Sequence, residues 1–214
     1  MAIIITLTGC TSDSNMAFQT LRDSMDTAPD VSISAKQIAQ LPYASSYMQI
    51  GGSARALVVL GKVNGDDRLW FSQQKEIVVT RFGRVIRTDG LNPINIEGVR
   101  FTHGDPLAKG LNGLEEHHYQ AQGFVSSMPG YHFDLPFSAH YQVKGKVDVS
   151  IADKKVSLVQ VNEDYSIPLL DFHTVNHYWL DASNGLVYKS QQQLLPSIPP
   201  FTITLLKPYQ QDLQ

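Results

Sequence analysis

The sequence predicts a mainly β fold: an antiparallel meander forming a barrel-like or two-sheet sandwich domain, with one or two short N-terminal helices. Three observations predict it. From Tyr43 onward the apolar residues recur with a period near two, the repeat of a strand with one face buried. Turn signals such as Asn64-Gly65-Asp66-Asp67 and Asp181-Ala182-Ser183-Asn184-Gly185 separate consecutive runs at hairpin spacing. The 214 residues are 43% hydrophobic and only 17% charged, enough apolar material for a real core and too little charge for a disordered or charged helical chain.

The chain opens with Ile3-Ile4-Ile5 and then Leu7-Thr8-Gly9-Cys10, which holds the sole cysteine. Small residues before that cysteine have the pattern of a bacterial lipobox, where a signal peptidase cuts and lipid joins the sulfur. The expected organisation is therefore a signal-peptide remnant over 1–9, a lipidated tether over 10–17 and a β-rich periplasmic domain over 18–214. Met1 to Thr8 holds no Lys or Arg, a departure from the basic start of a signal peptide. Thr11-Ser12-Asp13-Ser14-Asn15 reads as the polar tether such an anchor needs. Acyl chains on Cys10 would contribute about 0.8 kcal/mol per buried methylene. Thr11 stands where Asp favours inner-membrane retention in enteric-type bacteria, so the expected location is the outer membrane, facing the periplasm. A lone cysteine forms no intrachain disulfide.

Phe18, Leu21 and Met25 share a helical spacing, and Ser34 to Gln40 is a second short helix with Ser34 as N-cap and Pro42 as stop. Strands follow over 45–50, 54–63, 68–72, 76–81 and 84–89. Asn64-Gly65 supplies the positive φ angles of a tight hairpin. Gly90 to Leu114 is rich in Gly, Pro and Asn. It reads as a long irregular connection with a short helix or turn near Pro106 to Gly110, and as a candidate sub-domain seam near 90–117. Strands resume over 118–125. Met128-Pro129-Gly130 breaks the chain, and Tyr131 to Pro136 is an edge or a bend. Residues 137–149 and 156–161 alternate around Ala152-Asp153-Lys154, the latter run central because both its faces are apolar. Residues 172–180 and 186–194 form a hairpin, and 201–206 is a last strand.

A net charge of −3 argues against non-specific binding of nucleic acid or anionic lipid. No run of 18 apolar residues exists to form a spanning helix. The candidate chemistry is sparse. His173 and His177 are four apart, but in a strand that spacing separates them by about 13 Å, too far to chelate one ion unaided. Glu115-Glu116-His117-His118 sends neighbours to opposite faces of a strand. His103-Gly104-Asp105 could pair acid with base, or be a turn in which Asp bonds its own backbone. No nucleophile elbow, P-loop or dinucleotide fingerprint occurs. Trp70, Trp179, Tyr178, Tyr131 and Tyr141 could stack on sugar rings, and Arg81, Arg84 and Arg87 around one hairpin could meet an acidic polysaccharide or protect an edge strand by charge. Trp70, Arg81, Arg84, Arg87 and Trp179 are the candidate glycan or partner contacts. Neither metal nor cofactor is expected.

Two segments carry a resemblance. Arg81-Phe82-Gly83-Arg84-Val85-Ile86-Arg87-Thr88-Asp89-Gly90-Leu91 is one, and His177-Tyr178-Trp179-Leu180-Asp181 followed by Gly185-Leu186-Val187-Tyr188-Lys189-Ser190-Gln191-Gln192 is the other. Both resemble the YjbF/GfcB, or YmcC-like, family of outer-membrane lipoproteins, from about Tyr43 to Leu195. The resemblance implies a β-rich lipoprotein linked to group four capsule or exopolysaccharide secretion. It implies no enzymatic activity and only one functional residue, the lipidated Cys10. The expected role is non-catalytic: assisting polysaccharide assembly or export by binding glycan or a secretion partner, with the membrane reached through the lipid. Two alternatives stand beside it. A lipid or lipoprotein carrier would show a half-open barrel with a large apolar cavity. A polysaccharide-modifying enzyme would show a cleft with two carboxylates or a His–Asp pair.

Overall fold

The hairpin spacing resolves into twelve antiparallel strands in one sheet. The computed structural model describes residues 29–114, 119–130 and 132–213. The strands are β1 (Ser45–Ile50), β2 (Ala56–Asn64), β3 (Asp67–Phe71), β4 (Ile77–Arg81), β5 (Arg84–Asp89), β6 (Asn95–Phe101), β7 (Tyr119–Met128), β8 (His132–Ile151), β9 (Lys154–Ile167), β10 (Phe172–Leu180), β11 (Val187–Gln192) and β12 (Phe201–Lys207). Their order is β5-β4-β3-β2-β1-β12-β11-β10-β9-β8-β7-β6. Two meanders, β1 to β5 and β6 to β12, are thus zipped together by β1 against β12, with Met48 opposite Ile203.

The sheet curls until its two edges, β5 and β6, meet as a nearly closed barrel. Side chains span this seam. The Ile96 amide donates to Thr88 Oγ1 at 2.9 Å, and Asn95 Oδ1 accepts from the Leu91 amide at 3.0 Å and from the Thr88 hydroxyl at 3.2 Å. The two edge strands thus cover each other, which shields the open backbone edges that invite aggregation.

Strand β6 falls inside the stretch expected to be irregular. The reason is a bulge between Ile96 and Gly98. Ile96 and Val99 both face inward, three residues apart, so the bulge breaks the period-two signal. Residues 132–136, expected as an edge or bend, are the start of β8, a single strand of 20 residues. The expected central strand, β9, does lie between β8 and β10 but runs on to Ile167. The short helix or turn expected near Pro106 to Gly110 is a 3-10 segment over Pro106–Gly113.

Helix α1 (Ala35–Gln40) starts at Ser34 in a capping box with Gln37. At its other end the Lys207 ammonium donates to the carbonyls of Ala39 and Leu41. The expected helix at Phe18 to Met25 lies outside the described residues, as do the Cys10 anchor and its tether.

Alternate residues of each strand point inward, and the barrel interior is packed with side chains. Phe137 meets Phe101 edge-on at 5.2 Å and Tyr165 at 4.8 Å, with Val85, Ile96, Val125, Leu194 and Phe201 around them. Burying each such side chain contributes about 1.5–3 kcal/mol. A filled centre leaves no room there for acyl chains, which counts against the carrier reading. A second, smaller cluster forms outside the barrel, where Val149, Ile151 and Leu158 of the long β8–β9 hairpin pack with Trp179 and Leu206.

Candidate functional site

Strand alternation places Glu163 on the same face as Val159, Val161, Tyr165 and Ile167, and so inside the barrel. A lone carboxylate there is costly unless paired and hydrogen-bonded. Its partner is Arg84, which opens β5 and is itself fully buried. Arg84 Nη1 lies 2.9 Å from Glu163 Oε1 and 3.0 Å from Oε2. Arg84 Nε donates to Asp105 Oδ2 at 2.8 Å. The hydroxyls of Tyr178 and Tyr141 accept from Arg84 at 2.9 and 2.8 Å and donate in turn to Glu163. Asn176 Nδ2 completes the shell of Glu163 at 2.8 Å. The guanidinium also stacks over Phe101 at 4.8 Å and Tyr178 at 5.2 Å.

Electrostatics follow from this geometry. Burial opposes the charge on Glu163, but the Arg84 guanidinium and the hydrogen bonds from Arg84, Tyr141 and Asn176 outweigh it and hold its carboxyl below the usual range. Burial, with the carboxylate nearby, pushes both tyrosines well above their ordinary value, so they stay protonated donors. Every strong group in the cluster is committed to another member.

This cluster fixes the walls of a cavity. Asp105 caps the 3-10 turn by accepting from the Leu107 amide at 3.0 Å while it holds Arg84. Phe82 and Gly83 precede Arg84, and Leu107 to Gly110 follow Asp105. Both segments line a cavity of about 490 Å³ at the barrel end where β2, β4, β10 and β12 finish. The remaining walls include Asp66, Arg68, Asn184, Tyr188 and the C-terminal residues Gln211 and Asp212. At the rim Gly110 and Gly185 cross backbone to backbone, both at positive φ. A Cβ on Gly110 would sit 2.6 Å from the Gly185 Cα. Trp70, Thr80, Ser46 and Ser190 lie deepest by burial. Ser46 Oγ is fully buried and has no hydrogen-bond partner. A buried hydroxyl left unpaired costs about 1–3 kcal/mol, which a ligand group could recover.

The structure distributes the sequence candidates unequally. Trp70 lines the cavity from β3, its Nε1 donating to Thr80 Oγ1 at 2.8 Å. Trp179 faces outward under the hairpin tip, with the Lys189 ammonium 5.0 Å from its ring. Arg81 is at the surface, paired with Asp67 at 2.6 Å, and Arg87 is exposed. Arg84 is the correction: it was grouped with them as a surface contact, yet it is buried at the centre of the ion cluster and reaches no solvent. Tyr141 and Tyr178, candidate sugar contacts, are likewise buried in that cluster. Asp105 pairs with Arg84 and not with His103. His173 and Asp164 do form a pair at 2.7 Å, but on the exposed outer face of β9 and β10 rather than in a cleft. His177 bonds Asn162 at 2.9 Å, and burial lowers its basicity. Among the described residues no group of histidine, cysteine or acidic side chains is placed to hold a metal. Tyr131 and the Glu115-Glu116-His117-His118 run lie outside the described residues.

Sequence reasoning missed Glu163, Ser46 and Arg68, and named Asp105 only beside His103. Glu163 had a legible signal, a carboxylate in phase with the apolar face of an alternating strand. The others become neighbours only through closure of the barrel.

Comparison with known proteins fits this geometry. A family described as "Group 4 capsule polysaccharide lipoprotein gfcB, YjbF" matches residues 18–206. The uncharacterized lipoprotein GfcB of Escherichia coli K12 is 27% identical over 202 residues, covering 94% of each chain. The uncharacterized lipoprotein YjbF of the same organism is 26% identical, covering 96% of this chain and 94% of its own. The crystal structure of the hypothetical lipoprotein YmcC from Escherichia coli K12 superposes with a TM-score of 0.75 at 25% identity, over 94% of this chain and 99% of that one. With a match that spans nearly all of the barrel, the chain belongs to the GfcB/YjbF family of group 4 capsule polysaccharide lipoproteins.

Proposed function

We propose that this protein is a non-catalytic, lipid-anchored accessory of capsular or exopolysaccharide export, and that it holds glycan in the cavity at the barrel mouth. The anchor in this reading is Cys10, the membrane is the outer membrane, and the barrel faces the periplasm. The carrying observation is the cavity itself. Its 490 Å³ lies within the range of small-ligand sites and suits one or two sugar rings. Trp70, Phe82 and Tyr188 offer aromatic surface for the apolar face of a sugar. Ser46, Ser190 and Asn184 offer groups for its hydroxyls.

The buried carboxylates support binding over catalysis. Glu163 and Asp105 share the Arg84 guanidinium, and Glu163 is held there as the carboxylate, an acceptor with no proton to pass to a substrate. The test uses protein that starts at Thr11 and carries Trp179→Phe, leaving Trp70 as the reporter. Capsule polymer from the same strain should produce a saturable change in its fluorescence. A folded protein giving no saturable change would overturn glycan binding and leave an adaptor between export proteins. A clean deletion that leaves surface polysaccharide unchanged would overturn the export role itself.

A further inference from the structure

Arg68 stands on the cavity wall and is forked by a carboxylate from its own chain. Its Nε lies 3.1 Å from both Asp212 oxygens, and Nη2 bonds Oδ1. Such two-pronged contacts are the geometry in which arginine recognises carboxylates. The guanidinium does not depend on Asp212 for its position. Nη1 donates to the carbonyls of Gly65 at 2.8 Å and Asp67 at 3.3 Å, and the ring of Tyr209 lies 5.5 Å from Cζ. One side of the fork is therefore pinned by its own hairpin, and the other is aimed at whatever carboxylate the cavity offers.

The tail that supplies Asp212 is weakly held by comparison. The 3-10 turn Gln210–Leu213 buries no residue, and Leu213 is exposed. Gln211 and Asp212 nevertheless form part of the cavity wall. The pair is partly buried, its side chains 18% and 16% exposed, but it borders the open cavity, where a competing anion can take the place of Asp212. Of the other charges bordering the cavity, Asp66 lies near enough to act on Arg68 through space, Lys109 adds a further positive charge, and Lys189 turns its ammonium over Trp179. Withdrawing Asp212 opens the fork of Arg68 and leaves Asp66 as the one carboxylate among Arg68, Lys109 and Lys189 on the described cavity wall.

We infer that Arg68 is the carboxylate receptor of the cavity, that Asp212 is its resident stand-in, and that the natural ligand is a carboxylate-bearing sugar that displaces the tail. The inference rests on the glycan reading and narrows it to acidic sugars. Digalacturonic acid and its carboxyl-reduced form make a matched pair of probes, titrated against the full chain from Thr11. Asp212→Asn, and separately removal of residues 210–214, should tighten digalacturonic acid about five-fold and leave the reduced disaccharide unchanged. Arg68→Gln should abolish the preference for the acid. An acidic affinity that Asp212→Asn leaves unchanged or weakens overturns the inference. So does an equal response of both probes, which leaves the glycan reading intact. Failure of both probes to bind any variant overturns the two readings together. The tail variants alone decide the matter if Arg68→Gln does not fold.

Discussion

Arg84 and Arg68 each face a carboxylate, yet they illustrate opposite uses of the same pair. Arg84 is sealed in the barrel, and its two carboxylates, two tyrosines and Asn176-bonded partner leave nothing unsatisfied. Arg68 lies at the cavity wall, half of its fork fixed by backbone and half closed by a carboxylate from the unburied 3-10 turn Gln210–Leu213. The difference is what surrounds the charge. In the interior, breaking one contact strands a charge away from water, so the cluster can only hold structure. At the mouth, water or a ligand replaces what is lost, so the pair can exchange.

Removing one partner from each pair is the sharpest way to break this comparison. Arg84→Gln should destabilise the fold by about 3–5 kcal/mol, the usual cost of orphaning a buried charge, since it strands Glu163 and Asp105 together, read by urea denaturation. A loss below about 1 kcal/mol would place the two pairs in one class. Gly110→Val comes next. It sets a side chain against the Gly185 backbone at a positive φ, with an expected cost of about 1–3 kcal/mol and a weakened cavity ligand, since the rim must move. Acid tests the interior cluster through Glu163. The folded-state pKa of Glu163 lies below its unfolded value, so its stabilisation is fully present above the unfolded pKa and fades as pH falls through the folded one. Wild type should therefore lose stability as pH drops below about 4.3, the ordinary glutamate value, and Glu163→Gln should lose less over the same interval. Arg68→Gln should be the mildest, under about 1 kcal/mol by the same denaturation assay.

The contrast also explains what could be read in advance. Alternation revealed most strands because one face of each is buried. It failed at β6, where the bulge at Gly98 shifts the inward phase between Ile96 and Val99. Charge placed Arg81, Arg84 and Arg87 together at the surface, and two of them are there. Arg84 is not: it opens β5 across the turn from Arg81, and its inward position is tolerable only beside Glu163, 79 residues away. The in-phase Glu163 was the legible half of that pair. The cavity was not legible at all. Its walls come from chain ends and turns that meet only once β1 pairs with β12 and the seam between β5 and β6 closes.

The central claim is that ligand enters the mouth cavity and not the packed interior or the outer strand face. Amide NMR mapping during titration with fragments of the strain's capsule polymer tests it most directly. The account predicts saturable shifts concentrated at Ser46, Lys109, Gly185, Tyr188 and the tail around Asp212. Shifts centred on His173 and Val175 of the outer face, or none in a folded sample, would contradict it.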